Sequence, residues 1–380
     1  MTRRLFTRFL PIYLITVAAT LMNQVLAQNE EEALSPTPKG SFSIVVMSDT
    51  QGYLGRGTKR QPASHDEVTN PIFDSQTQWI TENIESQRIV FVTHAGDIVD
   101  INSQDQWEKA RKFMDRLHEK IPYGISVGNH DMDEEGNSSL FQKYFPPSRF
   151  ENFGWYGDFF AGDKNFPGIS DNNANNFQLF SAEGIDFIIL HLECNAPDSV
   201  LQWADNIMNQ YEHRFAIVTT HMFLGPLEKP ITKEGYYTDP KGVMLWTKCH
   251  GKRGNSAQQM WDKCFSKHRN LHLIFSGDQS RSNTMHFKNV GDNGNLVHAF
   301  LSDYSTVGGA VRIYRFLPHQ DEIQVITYDT RNGKVVYQTP IVQEIKEHHF
   351  NIDMKFRDEQ NWHETGQKII QISDKRKSKK

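Results

Sequence analysis

The chain predicts an α/β fold with one chemically active edge, and three observations carry that prediction. Short apolar runs end repeatedly in an acidic, amide or imidazole side chain, amphipathic stretches separate them, and alternating turn-rich segments follow toward the C-terminus. Strands that alternate with helices form a sheet whose C-terminal strand ends share an edge, and α/β folds place their chemistry there.

The N-terminal region reads as an export signal over residues 1–27. Arg3, Arg4 and Arg8 precede an apolar run over 9–22, and Val25-Leu26-Ala27 sets small residues before Gln28. The run is shorter than the roughly 20 residues of a spanning helix, so no membrane association is expected after cleavage. Thr2-Arg3-Arg4-Leu5-Phe6 also resembles a twin-arginine signal. An acidic, Pro-containing linker is expected over 28–40, one folded domain over 41–343, and a polar, basic tail over 344–380 that closes in Lys375-Arg376-Lys377-Ser378-Lys379-Lys380.

Ser43-Ile44-Val45-Val46-Met47 is the first buried strand, and it delivers Ser48-Asp49. The same phrase recurs where Ile89-Val90-Phe91-Val92 runs into Gly96-Asp97, residues 123–127 into Gly128-Asn129-His130, Phe215-Ala216-Ile217-Val218 into His221, and residues 271–275 into Gly277-Asp278. Helical periodicity over 74–85, 104–119, 199–211 and 256–268 fills the intervals. Residues 310–316, 323–328 and 334–337 alternate in polarity around Pro-His and Asn-Gly turns, as an antiparallel meander does.

With 41 Lys and Arg against 46 Asp and Glu, the chain has a formal net charge of −5. It carries no basic stripe with interleaved aromatics, so no nucleic acid is expected as a partner. Its 380 residues can bury a sizeable core. Cys194, Cys249 and Cys264 are too few and too scattered for a disulfide framework, although Cys249 and Cys264 could close a loop in an oxidising compartment.

Two catalytic patterns overlap in Tyr123-Gly124-Ile125-Ser126-Val127-Gly128-Asn129-His130-Asp131. Gly124, Ser126 and Gly128 spell the serine-hydrolase elbow, but that elbow needs its serine on a strand-to-helix turn, and Ser126 lies inside an apolar strand followed by a polar loop. Gly52 to Lys59 fails as a phosphate-binding loop because Thr58 precedes Lys59, the reverse of the required order, so it reads as a loop at the cleft rim. The strand-end set reads differently. Asp49 and Gln51, Asp97 and Asp100, Asn129, His130 and Asp131, His221 and Asp278 offer oxygen and imidazole donors from separate strands, and Asp97 is placed to bridge two hard divalent ions.

The ordered series Ser48-Asp49-Thr50-Gln51, Gly96-Asp97-Ile98-Val99-Asp100, Gly128-Asn129-His130-Asp131, Thr219-Thr220-His221 and Ser276-Gly277-Asp278 resembles the calcineurin-like metallophosphoesterase superfamily over residues 43–280. The resemblance implies a four-layer αββα sandwich of two mixed sheets flanked by helices, and hydrolysis of phosphate mono- or diesters at a dinuclear metal centre. It further implies that Asp49 binds the first metal with Gln51 in place of the usual histidine, that Asp97 bridges, and that Asn129 and His221 bind the second metal. His130 would stabilise the phosphoryl oxygens or protonate the leaving group, oriented by Asp131, with Asp100 behind the ligands. The substrate would be a small phosphorylated molecule.

The chain departs from that family at its last motif, usually Gly-His-x-His, where it reads Gly277-Asp278-Gln279-Ser280. Asp278 can replace an imidazole as an anionic ligand of the second metal, which favours Mn²⁺, Mg²⁺ or Fe over Zn²⁺. Ser280 is a poor ligand and leaves the first metal one short, with His286 as a nearby candidate to compensate. The same departure motivates a competing reading, a catalytically impaired binding protein that keeps the fold with a degenerate metal site. His191 reads as a buried, hydrogen-bonded histidine of a core strand, and Trp155, Tyr156, Phe159 and Phe160 as packing of an insertion or as a platform for a sugar or nucleobase.

Overall fold

The structure, a computed structural model, describes residues 34–356. The expected export signal, the first part of the expected linker and the end of the expected tail lie outside the described residues.

In chain order the first eight strands are β1 (Phe42–Met47), β2 (Ile89–His94), β3 (Tyr123–Ile125), β4 (Tyr156–Phe159), β5 (Asn176–Ala182), β6 (Ile185–Leu192), β7 (Phe215–Thr220) and β8 (Leu224–Pro226). The others are β9 (Lys241–Val243), β10 (Leu271–Ser276), β11 (Thr284–Val290), β12 (Leu296–Ser302), β13 (Val311–Leu317), β14 (Glu322–Asp329), β15 (Lys334–Val335) and β16 (His349–Asp353). One sheet runs β15-β14-β13-β1-β2-β3 with β16 added to β14, the second runs β11-β12-β10-β7-β6-β5-β4, and β8 and β9 form a separate hairpin. Both large sheets are mixed: β1, β2 and β3 are parallel, as are β6, β7, β10 and β12, while the flanking strands run antiparallel.

The pleat assigns each residue to a layer. Phe42, Ile44 and Val46 of β1 join Phe187, Phe215, Phe275 and Phe316 between the sheets, where Phe42 stacks on Phe316 at 4.8 Å and meets Phe187 edge-on at 5.6 Å. Val45 and Met47, on the opposite face, pack with Phe73, Ile80 and Trp107 of the covering helices. Both faces of β1 are buried, which is why its sequence reads as a continuous apolar run. The expected four-layer sandwich is the fold observed.

The helix Pro71–Glu82 starts at Asn70, whose Oδ1 accepts the Phe73 amide at 3.1 Å, with proline at the first helical position. It begins three residues before the expected span because the cap sits at Asn70. Gln104–Met114 buries Trp107, Ala110, Phe113 and Met114, and Asp198–Gln210 buries Val200, Leu201, Ala204 and Met208, each at helical spacing. Ala257–Lys263 opens with a capping box between Ser256 and Gln259 and gives way to a 3₁₀ turn at Phe265–Lys267, so the expected helix over 256–268 is interrupted. Among the described residues, no helix is long and apolar enough to cross a membrane.

Both domain boundaries move outward. At the N-terminal side, Leu34 packs on the core and the Thr37 amide donates to Ser86 O at 3.0 Å, so residues 34–40 belong to the domain and not to a free linker. At the C-terminal side, β16 pairs with β14 and buries Ile352 against the inter-sheet core, which corrects the expected tail from residue 344. A single added strand with only Phe350 and Ile352 as apolar residues gives too few alternations to stand out from polar sequence.

Candidate metal centre

Five strand ends deliver the donors. Asp49 follows β1, Asp97 follows β2, Asn129 follows β3, His221 follows β7 and Asp278 follows β10. Asp49, Asp97 and Asp278 have φ of 53°, 54° and 69°, left-handed backbone that costs about 1–3 kcal/mol at a non-glycine residue and collects at functional sites. Gly128 permits the loops to close, since a Cβ there would stand 2.2 Å from the Asp97 amide nitrogen.

His221 organises the cluster. Its Nδ1 donates to Ala95 O at 2.7 Å, which turns Nε2 inward to lie 3.1 Å from Asp97 Oδ1, 3.6 Å from Asp278 Oδ1 and 4.0 Å from Asp49 Oδ1. The Asp278 amide donates to Asp49 Oδ1 at 3.2 Å, and the Asn129 side-chain amide spans Asp278 Oδ1 at 2.6 Å and Lys248 Nζ at 2.7 Å. Gln51 Oε1 is buried without a hydrogen-bond partner and lines the same cleft as Asp97, His130 and Asp278. An orphaned amide oxygen in a cleft with buried carboxylates fits a hard divalent cation: Asp49, Asp97 and His221 lie close enough together to hold one, with Gln51, Asn129 and Asp278 beside them as further candidates.

The protonation balance of the metal-free site says the same. Burial, with the neighbouring Asp303 and Asp97 carboxylates, holds the Asp49 carboxyl well above its usual range. Burial and Asp97 push Asp131 up to about 7. Burial also opposes ionising Asp97, but the charge and hydrogen bond of the His221 ring win and hold that carboxyl low. A carboxyl whose folded pKa is raised stabilises the metal-free fold only while protonated, so that stability falls as pH rises from about 4 through about 7. Metal binding needs the ionised form of Asp49, whose carboxyl burial also holds high, so it gains as pH rises. The melting-temperature rise caused by Mn²⁺ is therefore expected to grow from about pH 5 to about pH 8. Buried neutral histidines such as His94 and His191, both pushed down to about 3 by burial, destabilise the fold at acid pH with or without metal and cancel from the difference. A metal-induced rise that is flat or shrinks with pH would sink this account.

His130 stands at the rim. Its Nδ1 donates to Asp100 O at 2.8 Å, and its Nε2 lies 3.9 Å from Asp97 Oδ2. Burial favours the neutral ring, but the Asp100 and Asp97 carboxylates outweigh it and raise its pKa. The expected Asp131–His130 contact is not formed, which corrects the orienting role read for Asp131. Asp131 turns beneath the loop and accepts the amides of Gly128 at 2.8 Å and Val99 at 3.1 Å, so it ties two donor loops together while Asp100 holds the imidazole. Lys59, from the glycine-rich segment at the rim, contacts Asp100 Oδ1 at 2.8 Å and His130 Nδ1 at 3.2 Å.

Other singled-out residues lie apart from the donors. Ser126 is buried and donates to Thr219 O at 2.7 Å, which leaves it no role as a nucleophile. His191 is buried and hydrogen-bonded to Thr93 Oγ1 at 2.7 Å, as expected. His286 does not compensate for Ser280: it pairs with His298 at 2.9 Å and stacks on Phe300 and Phe350. Trp155 stacks on Phe153, Tyr156 on Phe150, and Phe160 meets Trp203, so that cluster packs the insertion. All three cysteines are free and buried, and the Cys249–Cys264 closure is not formed because Cys264 faces His268 and Cys249 faces Cys194.

Sequence reasoning missed Lys59 as a contact of the site, and it missed Lys248 and Asp303 altogether. Lys248 has no local signature, since only the fold brings its loop to Asn129. Asp303 does have one: Leu301-Ser302-Asp303 repeats the apolar-Ser-Asp phrase of Met47-Ser48-Asp49 at the end of β12.

Residues 42–282 match the profile described as calcineurin-like phosphoesterase. The chain belongs to that family. Over 337 residues it is 30% identical to "Uncharacterized protein YvnB" of Bacillus subtilis (strain 168), a match covering 85% of this chain and 22% of that protein, so the chain spans about a fifth of that relative's length. Among solved structures it is similar to the purple acid phosphatase PPD1 of yellow lupin, with a TM-score of 0.49 and 14% identity over 86% of this chain and 56% of that one. It is also similar to a 5'-nucleotidase precursor of Thermus thermophilus, with a TM-score of 0.41 and 12% identity over 83% of this chain and 54% of that one.

Proposed function

We propose that this phosphoesterase-family chain is an exported hydrolase of phosphate mono- or diesters that works with two divalent ions, Mn²⁺, Mg²⁺ or Fe in preference to Zn²⁺. The convergence of Asp49, Gln51, Asp97, Asn129, His221 and Asp278 beside His130 carries the reading. When bound, such ions lower the pKa of an attacking water and neutralise charge on the phosphoryl oxygens. The chain's own residues do the rest. His130 is held by Asp100 with Nε2 toward the cleft, where it can give a proton to a leaving oxygen. Lys229, Lys248 and Arg281 line the cleft with Tyr236 and Trp246, which supports a small phosphorylated substrate as the partner. Export rests on the leader pattern over residues 1–27.

The purified mature protein should cleave p-nitrophenyl phosphate or bis(p-nitrophenyl) phosphate when Mn²⁺ is supplied and stop on addition of chelator. Turnover of neither ester with Mn²⁺, Mg²⁺ or Fe²⁺ would remove the enzyme reading. It would leave the impaired binding protein, which the loss of both histidines of the last motif favours.

A further inference from the structure

The first metal position has three donors from the strand ends, Asp49, Gln51 and Asp97, and the family pattern places its fourth at Ser280. Ser280 lines the cleft and its backbone carbonyl accepts Asn283 Nδ2 at 2.6 Å and Thr306 Oγ1 at 3.1 Å, but its side chain offers only a neutral hydroxyl, a weak donor for a divalent ion beside carboxylates. Resting on the dinuclear reading, we infer that Asp303 is a ligand of the first metal ion and replaces the donor lost at Ser280.

The topology delivers this residue. β10 and β12 are parallel neighbours, with Ser276 opposite Leu301, so their C-terminal ends open on one edge and send Asp278 and Asp303 into the same cleft. Asp303 is 2% exposed and lines that cleft with Gln51, Asp97 and Asp278.

Its conformation is fixed from both sides. The Asp303 amide donates to Asn283 O at 2.8 Å, its carbonyl accepts Asn283 Nδ2 at 3.2 Å, and its Oδ1 accepts the Ser305 amide at 3.1 Å and Ser305 Oγ at 2.7 Å. Asp303 is thus a buried carboxylate at the same cleft as Gln51, Asp97 and Asp278, and a carboxylate oxygen is the donor type that hard divalent ions take.

The consequence is an unequal pair. On this assignment, with the ligand split that the family resemblance implies, Asp49, Gln51, Asp97 and Asp303 would give the first position oxygen donors alone, whereas the second would keep the His221 imidazole. All-oxygen sets suit Mg²⁺ and Mn²⁺, so the first position discriminates against Zn²⁺ more strongly than the second.

The test is metal content and Mn²⁺ electron paramagnetic resonance on the purified protein, loaded with MnCl₂ and desalted. The wild type should hold two equivalents with an exchange-coupled spectrum. Asp303→Asn keeps the shape and an acceptor for Ser305, and with Asp303→Ala it should hold one equivalent with an isolated six-line signal and an unchanged far-ultraviolet circular dichroism spectrum. Ser280→Ala should still hold two. Two coupled equivalents in both Asp303 variants would overturn the assignment alone, whereas one equivalent or fewer in the wild type would overturn the dinuclear reading and the assignment with it.

Discussion

Asp97→Ala is expected to lose both metal ions and to bring phosphoesterase turnover to background. Asp97 stands between the two donor groups: its Oδ1 lies 3.1 Å from His221 Nε2 and accepts the His130 amide at 2.9 Å, while its Oδ2 faces the His130 ring at 3.9 Å. Asp100 also follows β2, the strand between β1 and β3, but it is engaged by His130 and Lys59, so Asp97 is the carboxylate this strand end gives to the donors. On the proposed dinuclear reading its removal would take a shared ligand, and it removes the restraint on the Asn129-His130 loop as well. Asp97→Asn separates the two effects, because an amide oxygen still accepts from the His130 backbone but carries no charge. We expect Asp97→Asn to keep the fold, measured by circular dichroism, and to retain at most one equivalent of Mn²⁺. Two retained equivalents in either variant would show that Asp97 does not bridge.

His130→Ala is expected to keep both ions and to lower kcat by about 10²–10⁴, the range for removal of a positioned general acid. The ring is a quarter exposed at the cleft rim, and its nearest donor-group contact, 3.9 Å to Asp97 Oδ2, is a salt-bridge distance and not a ligand geometry. The loss should be smaller for a substrate whose leaving group departs without protonation, such as p-nitrophenolate, than for an alkyl phosphate. Loss of metal equal to that in Asp97→Ala would make His130 a ligand, and an equal loss of kcat on both substrates would remove its role as the acid.

Much of the sheet framework was legible in the sequence. The continuous apolar runs of β1, β2, β7 and β10 are sequence facts, because a strand buried on both faces has to be apolar at nearly every position. Their polar ends, with that of β3, named Asp49, Asp97, Asn129, His221 and Asp278 in the order in which the chain delivers them. That much is local, since each donor lies within a few residues of the strand that aims it.

Three matters waited for the tertiary structure, and each depends on contacts distant in sequence. Asp100, not Asp131, holds His130, because rotamers at the strand ends are chosen by neighbours on other loops; Asp131 is drawn to the amides of Gly128 and Val99 instead. β16 completes the first sheet through its register with β14, a pairing that two apolar residues could not announce. Asp303 comes to the same cleft as Gln51 and Asp97, far from them along the chain, only because β12 lies parallel beside β10 and the two sheets face each other. The sequence alone determined which side chains could bind metal; the sheet order decided which of them meet, because parallel strands bring their C-terminal ends to one edge whatever their separation along the chain.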